Sequence, residues 1–138
     1  MNARLKLLLL FVLATLFWLA VARGAGVAEP WDAAGYWTVW YPVSLLLAAG
    51  GGYVVGRGTR KNAGWAAGAI VTLAQLPVME LGAGTSGLWP AGLLVLLVLA
   101  VPAMALAALA GWVARKKKAA RGAGRLSSGV GERDQSAP

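Results

Sequence analysis

Residues 88–118 read LWPAGLLVLLVLAVPAMALAALAGWVARKKK, an uncharged run from Leu88 to Ala114 closed by Arg115, Lys116, Lys117 and Lys118. A helix rises about 1.5 Å per residue, so this run exceeds the roughly 20 residues needed to cross a hydrocarbon core of about 30 Å. It stops where four consecutive cations would resist transfer into lipid. The segment predicts a membrane-spanning helix with a charged anchor.

Three further segments have the same character: Leu5 to Ala22, about 36–56 and about 63–81. Together they predict an all-α fold, an integral membrane four-helix bundle over residues 1–114. Over the 138 residues, 59% are hydrophobic and only 13% charged, with a mean hydropathy of +0.66. A soluble domain carries nearer a quarter of its residues as charge, so most of this chain belongs in lipid. The connections are too short to hold a separate aqueous core. After Arg121 the composition turns to Gly, Ala, Ser and scattered charge, so residues 115–138 are expected to form a basic, disordered cytoplasmic tail.

The basic residues orient the bundle. Arg4 and Lys6 precede the first span, Arg57, Arg60 and Lys61 separate the second from the third, and Arg115 to Lys118, Arg121, Arg125 and Arg133 follow the fourth. Of the 13 Lys and Arg residues, only Arg23 falls on the opposite side. The positive-inside rule then puts both termini in the cytoplasm, in a multi-pass protein of the plasma (inner) membrane. Glu29, Asp32 and Glu80 fall on the outer side. The first segment is longer than a signal-peptide core and carries Phe17 and Trp18 close to its end, so it reads as a retained signal anchor.

Trp and Tyr favour the headgroup level, where a ring can be half in lipid and its N–H or O–H in water. Trp18, Trp31, Tyr36, Trp37, Trp40, Tyr41 and Trp89 fall at the expected outer boundary, and Tyr53, Trp65 and Trp112 at the inner one. Trp31, Tyr36, Trp37, Trp40, Tyr41 and Trp89 are therefore candidate interfacial aromatics. Pro42 lacks an N–H and restrains Tyr41, so the residues before it read as a short interfacial turn.

Ser44, Ala48, Gly52 and Gly56 recur every fourth residue, which places them on one helical stripe. Gly64 and Gly68 continue the theme in the third span, and Ala103, Ala107 and Gly111 in the fourth. In lipid, helices associate by close packing of such faces, so these residues are the candidate packing set. Pro102 is expected to kink the fourth helix.

The third span also holds Thr72, Gln75, Pro77 and Glu80. Pro77 leaves the Leu73 carbonyl without its helical donor, so Thr72, Gln75 and Glu80 form a candidate ion or solute site. At roughly 100° per residue, however, Gln75 and Glu80 lie about 140° apart on the helix. Arg115, Lys116, Lys117 and Lys118 are candidate contacts for anionic lipid headgroups as well as an anchor.

Cysteine and histidine are both absent. Their absence removes disulfides, thiolate nucleophiles, the usual zinc and haem ligands and the commonest general base. No cofactor, metal or enzymatic activity is expected, and the basic residues sit at helix ends and not in a nucleic-acid-binding patch. The expected role is that of a non-catalytic accessory or oligomeric membrane subunit acting by helix packing. Its partners would be the bilayer, including anionic lipids, and a second copy or another membrane protein. The alternative is a small ion or solute transporter or channel subunit using the polar residues of the third span.

Overall fold

The computed structural model describes residues 2–27, 29–57, 62–83 and 89–135, with side chains except at 82, 83, 89 and 128–135. Arg60, Lys61 and the side chains of Trp89 and Arg133 lie outside that set. The described residues form helices α1 (Ala3–Ala25), α2 (Tyr41–Gly56), α3 (Ala63–Leu73), α4 (Gln75–Ala83) and α5 (Trp89–Gln135), with two short helical turns between α1 and α2. Four stretches are long and apolar enough to cross a membrane: Ala3–Ala25, Tyr36–Gly56, Ala63–Leu81 and Pro90–Ser127. A helix is the natural form for each, because lipid offers no partner for a free backbone N–H or C=O.

α2 and α3 pack against each other, and each contacts both α1 and α5. The packing inverts that of a water-soluble protein. Ala14, Ala48, Ala67 and Ala107 are fully buried, whereas Leu46 is 74% and Val98 70% exposed. Lipid tails are as apolar as leucine, so large side chains gain nothing by turning inward. Small ones inside let the backbones close.

Each helix end has a local cause. α1 stops at Gly26, whose φ of 68° is left-handed, and the Val27 N–H returns to the Ala22 carbonyl at 3.0 Å. That pairing satisfies a carbonyl the helix would otherwise leave open. A 3₁₀ turn over Pro30–Asp32 and a left-handed Gly35 then lead into one π-helical turn, Tyr36–Trp40. The turn runs straight into α2, so the apolar stretch begins at Tyr36 and the residues before Pro42 belong to the helix. Its wider register ends at Pro42, where no N–H exists to be displaced by the change to α geometry.

The third span is two helices. α3 ends at Leu73, the Ala74 N–H bonds to the Ile70 carbonyl at 3.0 Å, and α4 starts at Gln75. Pro77 supplies the reason, since its ring and missing N–H disrupt the turn before it.

α5 differs from expectation in the other direction. Residues 115–135, which composition assigns to a disordered tail, are helical and continue the helix that contains Pro102. A span already supplies the costly nucleus, so Ala, Lys, Arg and Leu need only propagate it. Side chains from Lys116 to Ser127 are exposed along this extension.

Candidate functional site

One end of the bundle is basic, and there the helices approach backbone to backbone. Gly52 and Gly56 of α2 face Ala107 and Gly111 of α5, while Gly64 and Gly68 of α3 face Ala107, Ala108, Ala103 and Met104 of the same helix. A Cβ at Gly52 would lie 2.6 Å from Ala107 Cα, and one at Gly68 would lie 2.5 Å from Met104 Cα. Real Cβ atoms do not come that close to backbone. Ser44 and Ala48 are buried on the same stripe, and the Ser44 hydroxyl donates to the Tyr41 carbonyl at 2.7 Å. The six small residues of α2 and α3 thus bear on neighbours within the chain.

The opposite end is held open by rings. Trp18 is fully buried and its indole N–H donates to the Val71 carbonyl at 2.9 Å. Val71 lies in the last turn of α3, where carbonyls lack intrahelical donors, so Trp18 closes a gap opened by the break at Ala74. The Tyr41 hydroxyl donates to the Leu99 carbonyl of α5 at 2.9 Å, which ties α2 to α5.

Trp18 also packs edge-on against Phe17 at 4.9 Å and lies 5.6 Å from the Tyr36 ring. Tyr36 continues the cluster to Trp37 and Tyr41. Depth along the chain puts Trp18 and Tyr36 at the headgroup level, but both point inward: Tyr36 is 1% exposed. Both belong to the buried cluster at the centre of the bundle. Of the other interfacial candidates, Trp37 is exposed, Trp31, Trp40 and Tyr41 are half-buried, and Trp31 lies over Gly92 of α5. No periodicity distinguished the inward rings from the outward ones.

The three residues of the candidate ion or solute site are not brought together. Thr72 is buried and its hydroxyl donates back to the Gly68 carbonyl at 3.3 Å. Gln75 is fully buried, its Oε1 accepts from the Tyr36 hydroxyl at 3.3 Å, and its Nε2 has no partner. Glu80 is exposed. The carboxylate therefore does not join the buried amide, as the angular offset along the helix foretells. Among the described residues, no His, Cys, Asp or Glu cluster is placed to hold a metal.

The Tyr36–Gln75 pair gives a direct test of how the core tolerates polarity. Tyr36→Phe leaves the buried amide without a partner and is expected to cost about 1 kcal/mol. Gln75→Met removes the unpaired Nε2, and the double variant should recover most of the loss because neither group is then orphaned. Unfolding in mixed detergent micelles, followed by circular dichroism, reads the cycle. Strict additivity would show that the two groups are energetically independent.

The basic run also divides. Lys116 sits over the Trp112 ring at 4.0 Å, and Arg115 Nη1 is buried without a hydrogen-bond partner. Lys117 and Lys118 turn toward α2, with Lys118 Nζ 3.4 Å from the Arg57 carbonyl. At the start of α1, Lys6 Nζ lies 3.4 Å from the Val54 carbonyl. Cations at the carbonyl end of α2 complement its dipole.

Comparison with protein-family models, curated proteins and solved structures gave no match. Function must therefore be argued from the geometry itself.

Proposed function

We propose that this chain is a non-catalytic subunit of a membrane assembly, acting by helix packing, with both termini on the cytoplasmic side of the plasma (inner) membrane. The observation that carries this reading is a groove of about 400 Å³ between α1 and α2, floored by Gly50 and Gly51. The inward glycines are closed over by α5, and Gly51 is closed by Leu10 of α1, whose Cδ2 would lie 2.6 Å from a Cβ there, but a Cβ at Gly50 would meet nothing within 4 Å. α2 thus leaves Gly50 as a small-residue opening on its outer side, bordered by Leu9, Leu13 and Leu46. An apolar helix of a partner subunit fits such a surface, since close backbone approach is what drives association in lipid. The buried hydroxyls of Ser44 and Thr72 bond to their own helices, and Gln75 to Tyr36, which supports structural roles for them.

The chain has no native cysteine, so Gly50→Cys introduces a single thiol into the groove. Crosslinking from that thiol in native membranes is expected to give one discrete adduct, and Gly50→Leu should abolish the association without unfolding the bundle. An adduct of doubled mass would identify the partner as a second copy. A chain that stays monomeric, with Gly50→Leu indistinguishable from the parent, overturns the proposal.

A further inference from the structure

A cavity of about 320 Å³ lies where α2 ends against α5, lined by Tyr53, Arg57, Ala114, Lys117, Lys118 and Arg121. Among the described residues that line it, four are cations and none is a carboxylate. Ala114, Lys117, Lys118 and Arg121 follow the i, i+3, i+4, i+7 spacing of a single helical face. An anchor that merely stops translocation needs charge near the span end, wherever it points around the helix. Here the charges point at α2, where Arg57 meets them from the other side.

Like charges gathered this way repel, and a lining without carboxylates leaves compensation to something outside the pocket. The described acidic side chains, Glu29, Asp32 and Glu80, belong to the connection between α1 and α2 and to α4, at the other end of the bundle. The pocket is also organised. The Arg57 guanidinium rests over the Tyr53 ring at 5.1 Å, and Lys118 Nζ is drawn to the Arg57 carbonyl. Arg and Lys together suit phosphate, one by a planar fork of donors and the other by a compact charge. The cavity falls within the roughly 300–1,000 Å³ usual for small-ligand sites. Its depth is equally telling, because α2 and the apolar run of α5 both end here, at the level of headgroups.

We propose that this pocket binds the phosphate of an anionic phospholipid headgroup, with Arg57, Lys117, Lys118 and Arg121 as its ligands. Lys116, turned onto Trp112, is outside the site. Basic pockets between membrane helices are suited to phosphorylated headgroups, at a strength that grows with each cation.

The test uses the full chain in nanodiscs of phosphatidylcholine with or without cardiolipin, reading retained lipid by native mass spectrometry. Cardiolipin should be held in preference to phosphatidylcholine, and Arg57→Gln should weaken retention roughly fivefold. The pair Arg121→Ala with Ala123→Arg keeps the net charge but moves one cation to the opposite face, and it should lose retention likewise. Lys116→Gln should change nothing. Equal losses for Lys116→Gln and Arg57→Gln, or no loss in the charge-preserving pair, would mean that charge count alone governs binding and would overturn the site. Inorganic phosphate supplies the second arm. If it binds the protein in phosphatidylcholine with the same dependence on Arg57 and Arg121, and cardiolipin does not compete, the pocket holds a soluble phosphate and the lipid assignment fails.

Discussion

Gly52→Leu is expected to leave no folded monomer, and Gly52→Ala to lower stability by roughly 3 kcal/mol, at the upper end of overpacking penalties. The size follows from what the new atoms would meet. At Gly52 the obstacle is the Ala107 backbone, with its Cα 2.6 Å from the position of a Cβ, and backbone cannot change rotamer to make room. α2 and α5 would have to part, and Gly56 against Gly111 would part with them. α5 is held on its other flank by Gly64 and Gly68, so it cannot slide aside without lifting from α3. Gly50, two residues away on the open side, is the internal control: Gly50→Ala should stay within about 1 kcal/mol of the parent, the scale of helix propensity alone. Size-exclusion chromatography and detergent unfolding of the three variants would read the contrast. A well-folded Gly52→Leu monomer would show that the two helices do not meet along this face.

The second large effect is expected at Trp18. Trp18→Ala removes the largest fully buried side chain among the described residues and should cost about 3–5 kcal/mol, because helices held by α5 at the other end cannot collapse into the space. Trp18→Phe keeps most of the ring but not the N–H, and should cost about 1–2 kcal/mol for the unpaired Val71 carbonyl. The difference separates filling from hydrogen bonding. A spectroscopic signature accompanies it: with a ¹³C label at the Val71 carbonyl, its amide I band should shift upward in Trp18→Phe as the donor is lost. A band left in place, with stability unchanged, would mean that the carbonyl is satisfied some other way.

These two sites describe complementary halves of one design. Small residues let the helices touch at the basic end, and Trp18, Tyr36 and Gln75 fill the wider space at the other. Trp18 ties α1 to the last turn of α3, and Tyr41 ties α2 to α5. The groove at Gly50 and the basic pocket at Arg57 lie on the outside of this frame, where a partner helix or a headgroup can reach them.

The spans were legible because hydropathy is a one-dimensional property and bilayer thickness sets a fixed length. The runs 36–56 and 63–81 coincide with the apolar stretches of the structure, and Leu5–Ala22 lies inside α1. The four-residue spacing of Ser44, Ala48, Gly52 and Gly56 likewise established a shared face, since helical geometry alone requires it. Composition failed after Arg121, because helix can propagate from a span into residues that would not nucleate it themselves. What only tertiary structure decided is direction around each helix. A ring expected at headgroup depth can be exposed, as Trp37 is, or face the core, as Trp18 and Tyr36 do, and position along the chain does not separate the two. The same rotation determines that Gly52 is closed by α5 while Gly50 is open, and that Lys117 and Lys118 line a pocket while Lys116 lies on Trp112. Rotation about a helix axis is set by the neighbours it packs against, and no single segment of sequence contains its neighbours.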